Sequence, residues 1–482
     1  MKPPLPRLER IDEFRWRLPR SGAMRAEGLL FASARQVEDL ENDEALRQVA
    51  NVACLPGLVG PSIAMPDIHW GYGFPIGGVA AFDPREGVVS PGGVGYDINC
   101  GVRLLAAPLG VAELRPRLAE LADELFAAVP SGVGSARSDL RLNDGQLDRV
   151  LAQGARRAVE MGFGEDADLD ALEAGGRLAE ADPGQVSKRA RQRGRDQLGT
   201  LGSGNHFVEV GYVDETYDAR AAEALGLEPG RVTVLIHTGS RGLGHQVCDD
   251  HLDVMLAAAR RHGIALPDPQ LCCAPLGSPE ARTYWGAMNA AANFAFANRQ
   301  LITHHVRLAF ARRFGAPTAA GIEVVYDVAH NIAKLEEHES GGRRRRVCVH
   351  RKGATRAFPP GHPELAPRFR ALGQPVLVPG DMGRYSFVLV GTERAAAETF
   401  SSCCHGAGRR LSRNAAKREA RPRDLVHELE RRGILVRAAS RATVDEEMPD
   451  AYKDVAGVVD VVDGAGLARK VARLRPLAVI KG

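Results

Sequence analysis

The chain has 482 residues and a net charge of +3, with 63 Lys and Arg against 60 Asp and Glu, so the total charge gives only a mild bias toward polyanions. No uninterrupted apolar run approaches the ~18 residues of a membrane helix, and eight cysteines scattered through so long a chain do not make a small disulfide framework. These features predict a soluble, cytoplasmic protein with reduced thiols, no membrane partner and a sizeable core.

Residues 1–64 read as a mixed entry segment, with a helix over 42–53 capped by Asn42 and stopped by Pro-Gly. Residues 65–103, MPDIHWGYGFPIGGVAAFDPREGVVSPGGVGYDINCGVR, organise the rest. Nine glycines among prolines let this backbone take positive φ and approach a ligand or metal closely, and an acid and a thiol, Asp97 and Cys100, stand three residues apart near its end. VRLLAAPL, residues 102–109, predicts a buried strand. Residues 113–194 then change texture, rich in Ala, Leu, Arg and Glu at helical spacing, and predict a helical insertion. The end of that segment, SKRARQRGRDQ at 187–197, is either a solvated helix end or a phosphate-backbone contact.

From Leu198 the chain returns to glycine-punctuated strands. Asn205 and His206 enter the strand HFVEV from a Gly-rich turn, and His237 ends the strand RVTVLIHT before Gly-Ser-Arg-Gly. Residues 287–314 form a helix free of glycine and proline, with Asn289 and Asn293 one turn apart and Asn298 and Arg299 beyond them; this row is either exposed decoration or a substrate-facing set of amides. His245, Cys248 and His251 share helical spacing and read as structural, while His304 and His305 read as surface or partner residues. IEVVYDVA delivers His330 and Asn331 at its end. The run 343–346 predicts an exposed hairpin tip, and His350, Arg351 and Lys352 end a strand from which they can face an anion. Residues 376–391 predict a hairpin around Pro-Gly-Asp-Met-Gly, and His405 stands at a Gly-Ala-Gly turn opening a basic helix.

One acid, one thiol and three imidazoles, Asp97, Cys100, His206, His237 and His330, all sit at strand ends or glycine turns, the placement expected of a site on a rigid scaffold. Five mixed ligands exceed one tetrahedral zinc site, so either some stand behind the ligands proper or two ions share a bridge, which a thiolate can supply. Carboxylate and imidazole suit Mn²⁺ and its neighbours, whereas the thiolate also welcomes Zn²⁺. In HGAGRR the glycines at a helix start expose N–H groups to an anion, with Arg409 and Arg410 adding charge. An imidazole held there against a phosphate can attack phosphorus; the alternative is a capping histidine in a tight turn.

MPDIHWGYGFPIGG, GGVGYDINCGVR, GTLGSGNHFVEV, IHTGSRGLGH, DVAHN, HRKGATRAF and SCCHGAGR together resemble the RtcB family of RNA ligases from about residue 60 onward. The resemblance implies a mixed α/β fold, a single catalytic domain over 1–482 with the 113–194 insertion within it, in which sheets and helices form one metal-lined cleft. It implies GTP- and Mn²⁺-dependent joining of RNA 3′-phosphate or 2′,3′-cyclic phosphate ends to 5′-hydroxyl ends, with the accessory protein archease as a partner of some members. Carried over, it has Cys100 bridging two Mn²⁺ ions, Asp97 and His206 completing one site, and His237 and His330 the other. The nucleotide then lies against Asn205, His206, Phe207, Val208, Glu209, His330, Asn331, Pro379, Gly380, Asp381, Met382, Ser386, His405, Gly406, Ala407, Gly408 and Lys481. His405 matches the histidine that becomes guanylylated, and Arg351, Lys352 and Arg409 are candidates to hold RNA or triphosphate oxygens. Where the family pattern leads one to expect Pro-Gly-Ser-Met-Gly, this chain has Asp381 in place of the serine. Two rivals use the same residues differently: a metal-dependent hydrolase of cyclic or terminal phosphates, and an RNA-end binding or capping module without turnover.

Overall fold

The computed structural model of the chain describes residues 5–40, 43–340 and 342–482. Near-continuous apolar runs are what a sheet buried on both faces requires, and Gly101–Gly110, Phe207–Thr216, Arg231–Thr238 and Ala468–Lys481 are buried along most of their length. They form the centre of an eight-stranded sheet in the order Glu323–Ala329, Gly101–Gly110, Arg231–Thr238, Phe207–Thr216, Ala468–Lys481, Ser386–Gly391, Pro375–Val378, with Leu435–Ala438 joining the last long strand in parallel. The 376–391 hairpin is present as the antiparallel pair Pro375–Val378 and Ser386–Gly391.

Register decides what this sheet can do. Ala329 lies opposite Gly101, Gly101 opposite Thr238, His237 opposite Phe207 and Phe207 opposite Lys481. The ends of five neighbouring strands therefore share one edge, and the residues at or just beyond those ends are Cys100, His206, His237, His330 and Lys481.

A seven-stranded sheet lies beside it, containing Leu58–His69, Ile76–Phe82, Arg343–Lys352 and Asn331–Ser340 among its strands. One apolar cluster joins the two sheets, with Ile63, Met65 and Val79 from the second packed with Val376, Phe387 and Leu389 from the first. The exposed arginines at 343–346 belong to the long strand pair; Arg344 and Arg346 stand opposite Glu339 and Glu337, and Arg344 reaches diagonally to Glu337 at 3.5 Å.

The helix Pro279–Phe314 starts at Ser278, whose side chain accepts from Ala281 N–H, and runs 36 residues, most of them buried. Its polar row is buried, which corrects the exposed alternative. Asn293 Oδ1 accepts from Leu178 N, and Asn298 Oδ1 from Gly199 N and Thr200 N, so each amide satisfies a loop backbone that burial would otherwise leave unpaired. Between Val111 and Gly194 lie the helices Leu118–Ala128, Asp144–Gln153, Ala155–Glu160 and Lys188–Gly194. Near the N-terminus the expected helix is Glu44–Val52, and its cap is Asp43, which accepts from Ala45 N at 2.8 Å; Asn42 lies outside the described residues. Among the described residues no helix is long and apolar enough to cross a membrane.

Candidate functional site

The organising loop turns sharply before its strand. Asn99 adopts a left-handed φ of 51°, Cys100 N donates to Asp97 O, and Asn99 N donates to Asn331 O, which ties the acid, the thiol and the residue after His330 together. Arg299 locks this turn from the long helix. Its guanidinium donates to Asn99 O, Asn99 Oδ1, Thr238 O and both oxygens of Asp327, the last at 2.8 and 2.9 Å. One buried cation thus fixes the backbone beside Cys100, beside His237 and in the strand that leads to His330.

Four of the strand-end residues and Asp97, from the turn before Gly101, converge as two triads that share Cys100: Asp97, Cys100 and His206, and Cys100, His237 and His330, with the ligand atoms of each triad within 4.8 Å of one another. Cys100 Sγ lies 3.6 Å from His206 Nε2 and 3.3 Å from His237 Nε2, whose distance to His330 Nε2 is 3.3 Å. Burial holds His237 and His330 well below the usual imidazole range, so both are neutral. Burial also pushes the Cys100 thiol up, and Asp97 adds to that. His206 Nδ1 faces Leu201 O at 3.0 Å; when Nδ1 carries the proton, the Nε2 lone pair faces Asp97 Oδ2 at 2.8 Å. Acceptors pointed at acceptors in a buried site are costly unless a cation lies among them. An O, N and S donor set of this kind, with one shared sulfur, fits two divalent ions.

His405 follows the short strand Ser402–Cys404, and its ring packs against His330 with centroids 4.9 Å apart. Its Nδ1 is held by Asp67 Oδ2 at 2.6 Å, while the same oxygen accepts from His405 N and Gly406 N. Asp67 is fully buried, which by itself raises its pKa, but the His405 ring and amide hold the carboxyl below its usual range. Gly408 must be glycine, since it has φ +73° and a Cβ there would meet Asp67 O at 2.2 Å. The basic helix begins only at Arg413, capped by Ser412, so the HGAG amides are not a helix start. They close on a carboxylate, and Ala407 N donates to Pro379 O.

A pocket opens from His405 and His237. Its wall includes Asn205, Phe207, Glu209, Pro379, Gly380, Asp381, Met382, Gly406, Ala407 and Lys481, together with Glu447, Tyr452 and Val479, which the sequence did not single out. Lys481 Nζ donates to Gly204 O at 2.8 Å, holding the chain's last strand against the turn before His206. Of the remaining nucleotide candidates, His206 and His330 are in the triads. Val208 is in the core, and Ser386 Oγ supports the turn by accepting from Gly380 N. Asn331 bridges Asp97 O and Gly353 N. Burial raises Glu209 to about 8, helped by Asp381 and opposed by Lys481. Burial likewise raises Asp381 to about 6 against the Gly383 amide and Arg384.

Three expected anion holders are engaged elsewhere. His350 is fully buried and accepts from Ser90 N, Arg351 forms a two-pronged pair with Glu336 at 2.9 and 2.7 Å, and Lys352 donates to the carbonyls of Tyr72, Phe74 and Gly92. The strand that carries them is paired on both sides, with Ile76–Phe82 and Asn331–Ser340, and its last residues are buried there instead of ending at the cleft. Arg409 holds the pocket wall, donating to Glu447 and lying over the Tyr452 ring. Asp67, the partner of His405, lies in the organising stretch but was not among the sequence candidates.

The family model described as tRNA-splicing ligase RtcB matches residues 48–482. The tRNA-splicing ligase RtcB of Thermococcus kodakarensis is 56% identical over 477 residues, covering 98% of this chain and 99% of that protein. That of Archaeoglobus fulgidus is 55% identical over 478 residues, with the same coverage of both chains. The RNA-splicing ligase RtcB of Mycobacterium tuberculosis is 54% identical over 438 residues, 90% of this chain and all of that protein. With this similarity running through every segment that builds the paired triads, the Asp67–His405 pair and the pocket, the chain belongs to the tRNA-splicing ligase RtcB family.

Proposed function

We propose that this ligase joins RNA ends bearing a 3′-phosphate or 2′,3′-cyclic phosphate to ends bearing a 5′-hydroxyl, consuming GTP through a guanylylated His405. The observation that carries the reading is the pairing of His405 Nδ1 with buried Asp67 beside two triads that share a thiol. With Nδ1 occupied by Asp67, the ring's free nitrogen is Nε2, which makes it the nucleophile. Nε2 attacks the α-phosphorus of GTP, a P–N bond forms and pyrophosphate leaves. The guanylyl group then passes to an oxygen of the RNA 3′-phosphate, regenerating the imidazole. The 5′-hydroxyl attacks that activated phosphate, and GMP departs with the bonding electrons.

Asp97, Cys100 and His206 would hold one Mn²⁺ ion and Cys100, His237 and His330 the other, supplying positive charge that offsets charge building on phosphorus. Lys481, Phe207 and Tyr452 line the pocket in which the nucleotide would lie. The reading treats 1–482 as one catalytic domain with 113–194 as its helical insertion. It also includes archease as an accessory for turnover and a cytoplasmic setting that keeps all eight cysteines free.

Incubation with α-labelled GTP and Mn²⁺ tests it: acid-labile label on the chain, absent in His405→Ala, is expected. Release of phosphate or opening of cyclic ends without any label would favour the hydrolase instead.

A further inference from the structure

A second cavity, of about 230 Å³, opens where residues 174–180, the helix Pro279–Phe314 and the strand pair Asn331–Ser340 and Arg343–Lys352 meet, and it shares no lining residue with the pocket beside His405. One water needs only ~10–15 Å³, so this space admits a ligand. Two parts of the chain that the ligation reading leaves unused line it: Asn289 from the polar row of the long helix, and Arg346 from the run 343–346. Its wall holds four cations, Arg177, Lys334, Arg346 and Arg356, and three acids, Glu180, Glu336 and Glu364. Each acid is already engaged. Glu336 takes both prongs of Arg351, Glu364 accepts from Arg356 at 3.1 Å, and Glu180 accepts from Trp285 Nε1 at 2.6 Å.

The donors are less fully used. Arg356 is held by Glu364 and Gln374, with Glu336 at 3.7 Å and Glu173 at 3.8 Å, so it adds field and no free N–H is asked of it. Lys334 is 7% exposed, and among the described residues its ammonium gives one of three N–H donors, to Glu173. Asn289 is 3% exposed and gives one amide N–H to Trp285 O, which leaves the other. Arg177 and Arg346 are exposed at the rim, and among the described residues neither guanidinium has a hydrogen bond or an ion pair; Glu337, opposite Arg346, is held by Arg344. These donors come from three directions: Arg177 from the 174–180 segment, Asn289 from the helix, Lys334 and Arg346 from the strands. A planar carboxylate takes its donors near one plane, whereas a tetrahedral phosphate takes them from all sides and binds guanidinium forks in pairs. We propose that this cavity is a second anion site, for a small phosphate anion of pyrophosphate size, with Arg177 and Arg346 holding it at the rim and Lys334 and Asn289 beneath. The site does not depend on the nucleotide reading of the pocket beside His405.

The chain has three tryptophans, at 16, 70 and 285, and Trp285 lines the cavity, so its emission reports occupancy there and not at His405. The full chain, freed of divalent ions by chelator, is titrated with pyrophosphate and, as a control, with sodium chloride at matched ionic strength. Pyrophosphate should give a saturable change in emission that Trp285→Phe removes. The same titration of the double variant Arg177→Ala/Arg346→Ala should need at least about ten times more pyrophosphate, the scale of one lost charge-assisted hydrogen bond. Both arginines are exposed, so their replacement leaves the core untouched. No saturable change beyond the chloride control, a change that persists in Trp285→Phe, or a midpoint that the double variant leaves in place overturns the site. Citrate saturating at a lower concentration than pyrophosphate overturns its assignment to phosphate.

Discussion

Asp67 and Glu209 show how position inside the fold changes what a carboxylate does. Asp67 spends one oxygen on His405 Nδ1 and on two backbone amides, which orients the ring. Asp67→Asn keeps the shape but removes the charge and presents either oxygen or N–H₂, so guanylylation should fall by about two orders of magnitude or more, as for other carboxylate-oriented imidazoles. GTP affinity should change little, and a variant labelled at the wild-type rate would show that Asp67 is not needed. Asp67 was hard to find from sequence, because its partner is 338 positions away and a lone acid in a Gly-Pro loop has many uses. Glu209 is burdened instead of paired. Its folded pKa of about 8 stands above the ordinary 4.5, so the native state binds the extra proton between those values and stability drains away as pH rises through that window. Glu209→Gln should therefore stabilise the nucleotide-free protein at pH 8.5 by about 2–4 kcal/mol relative to wild type and by almost nothing at pH 4.5. Urea unfolding at the two pH values checks it; an equal effect at both would deny the raised pKa.

At the scale of elements, strands and their ends were legible because apolar runs bounded by glycine fix both. The predicted strand at 102–109 is Gly101–Gly110, and the strands leading to His237 and His330 end at Thr238 and Ala329, as their Gly and Asn neighbours suggested. The long helix was legible too, but not what its polar residues do. Periodicity says which residues share a face, not whether that face meets water, substrate or the backbone of a distant loop. Asn293, Asn298 and Arg299 all meet backbone, and Arg299 does so while also pairing with Asp327. Arg299→Met leaves Asp327 with Arg103 alone and leaves Asn99 O and Thr238 O short of a donor. Breaking one side of such a buried pair costs about 3–5 kcal/mol, so the denaturant midpoint should fall clearly without a change in slope. A loss under about 1 kcal/mol would mean the network is dispensable. The HGAGRR segment failed for a related reason: glycines that suggest a helix start to an anion also suit a tight turn around a buried acid, and only the fold says which.

For the whole molecule, the site exists because two sheets are coupled at one place. His330 is the single residue between Glu323–Ala329, which belongs to the eight-stranded sheet, and Asn331–Ser340, which belongs to the seven-stranded one. The other ligand candidates come from the strand-end edge of the first sheet, and Asp67 reaches His405 from the second. Ions held by both triads would therefore fasten parts of the chain that unfolding must separate, and anything that binds only the folded state raises its stability by mass action. At about 100 times Kd one ion adds roughly 2.7 kcal/mol, which for a chain of this size is a few degrees in Tm. Chelator-treated protein should unfold a few degrees lower than protein given Mn²⁺, and the difference should grow with the logarithm of free Mn²⁺. Cys100→Ala separates this from nonspecific salt effects, because the shared sulfur belongs to both triads while a buried alanine costs little space. Its bound metal should fall for both sites at once, its Tm should cease to depend on Mn²⁺, and ligation should be lost far beyond the ~1–3 kcal/mol of an ordinary packing defect. Retention of the full Mn²⁺ shift and of bound metal in Cys100→Ala would mean the two triads do not share that thiolate.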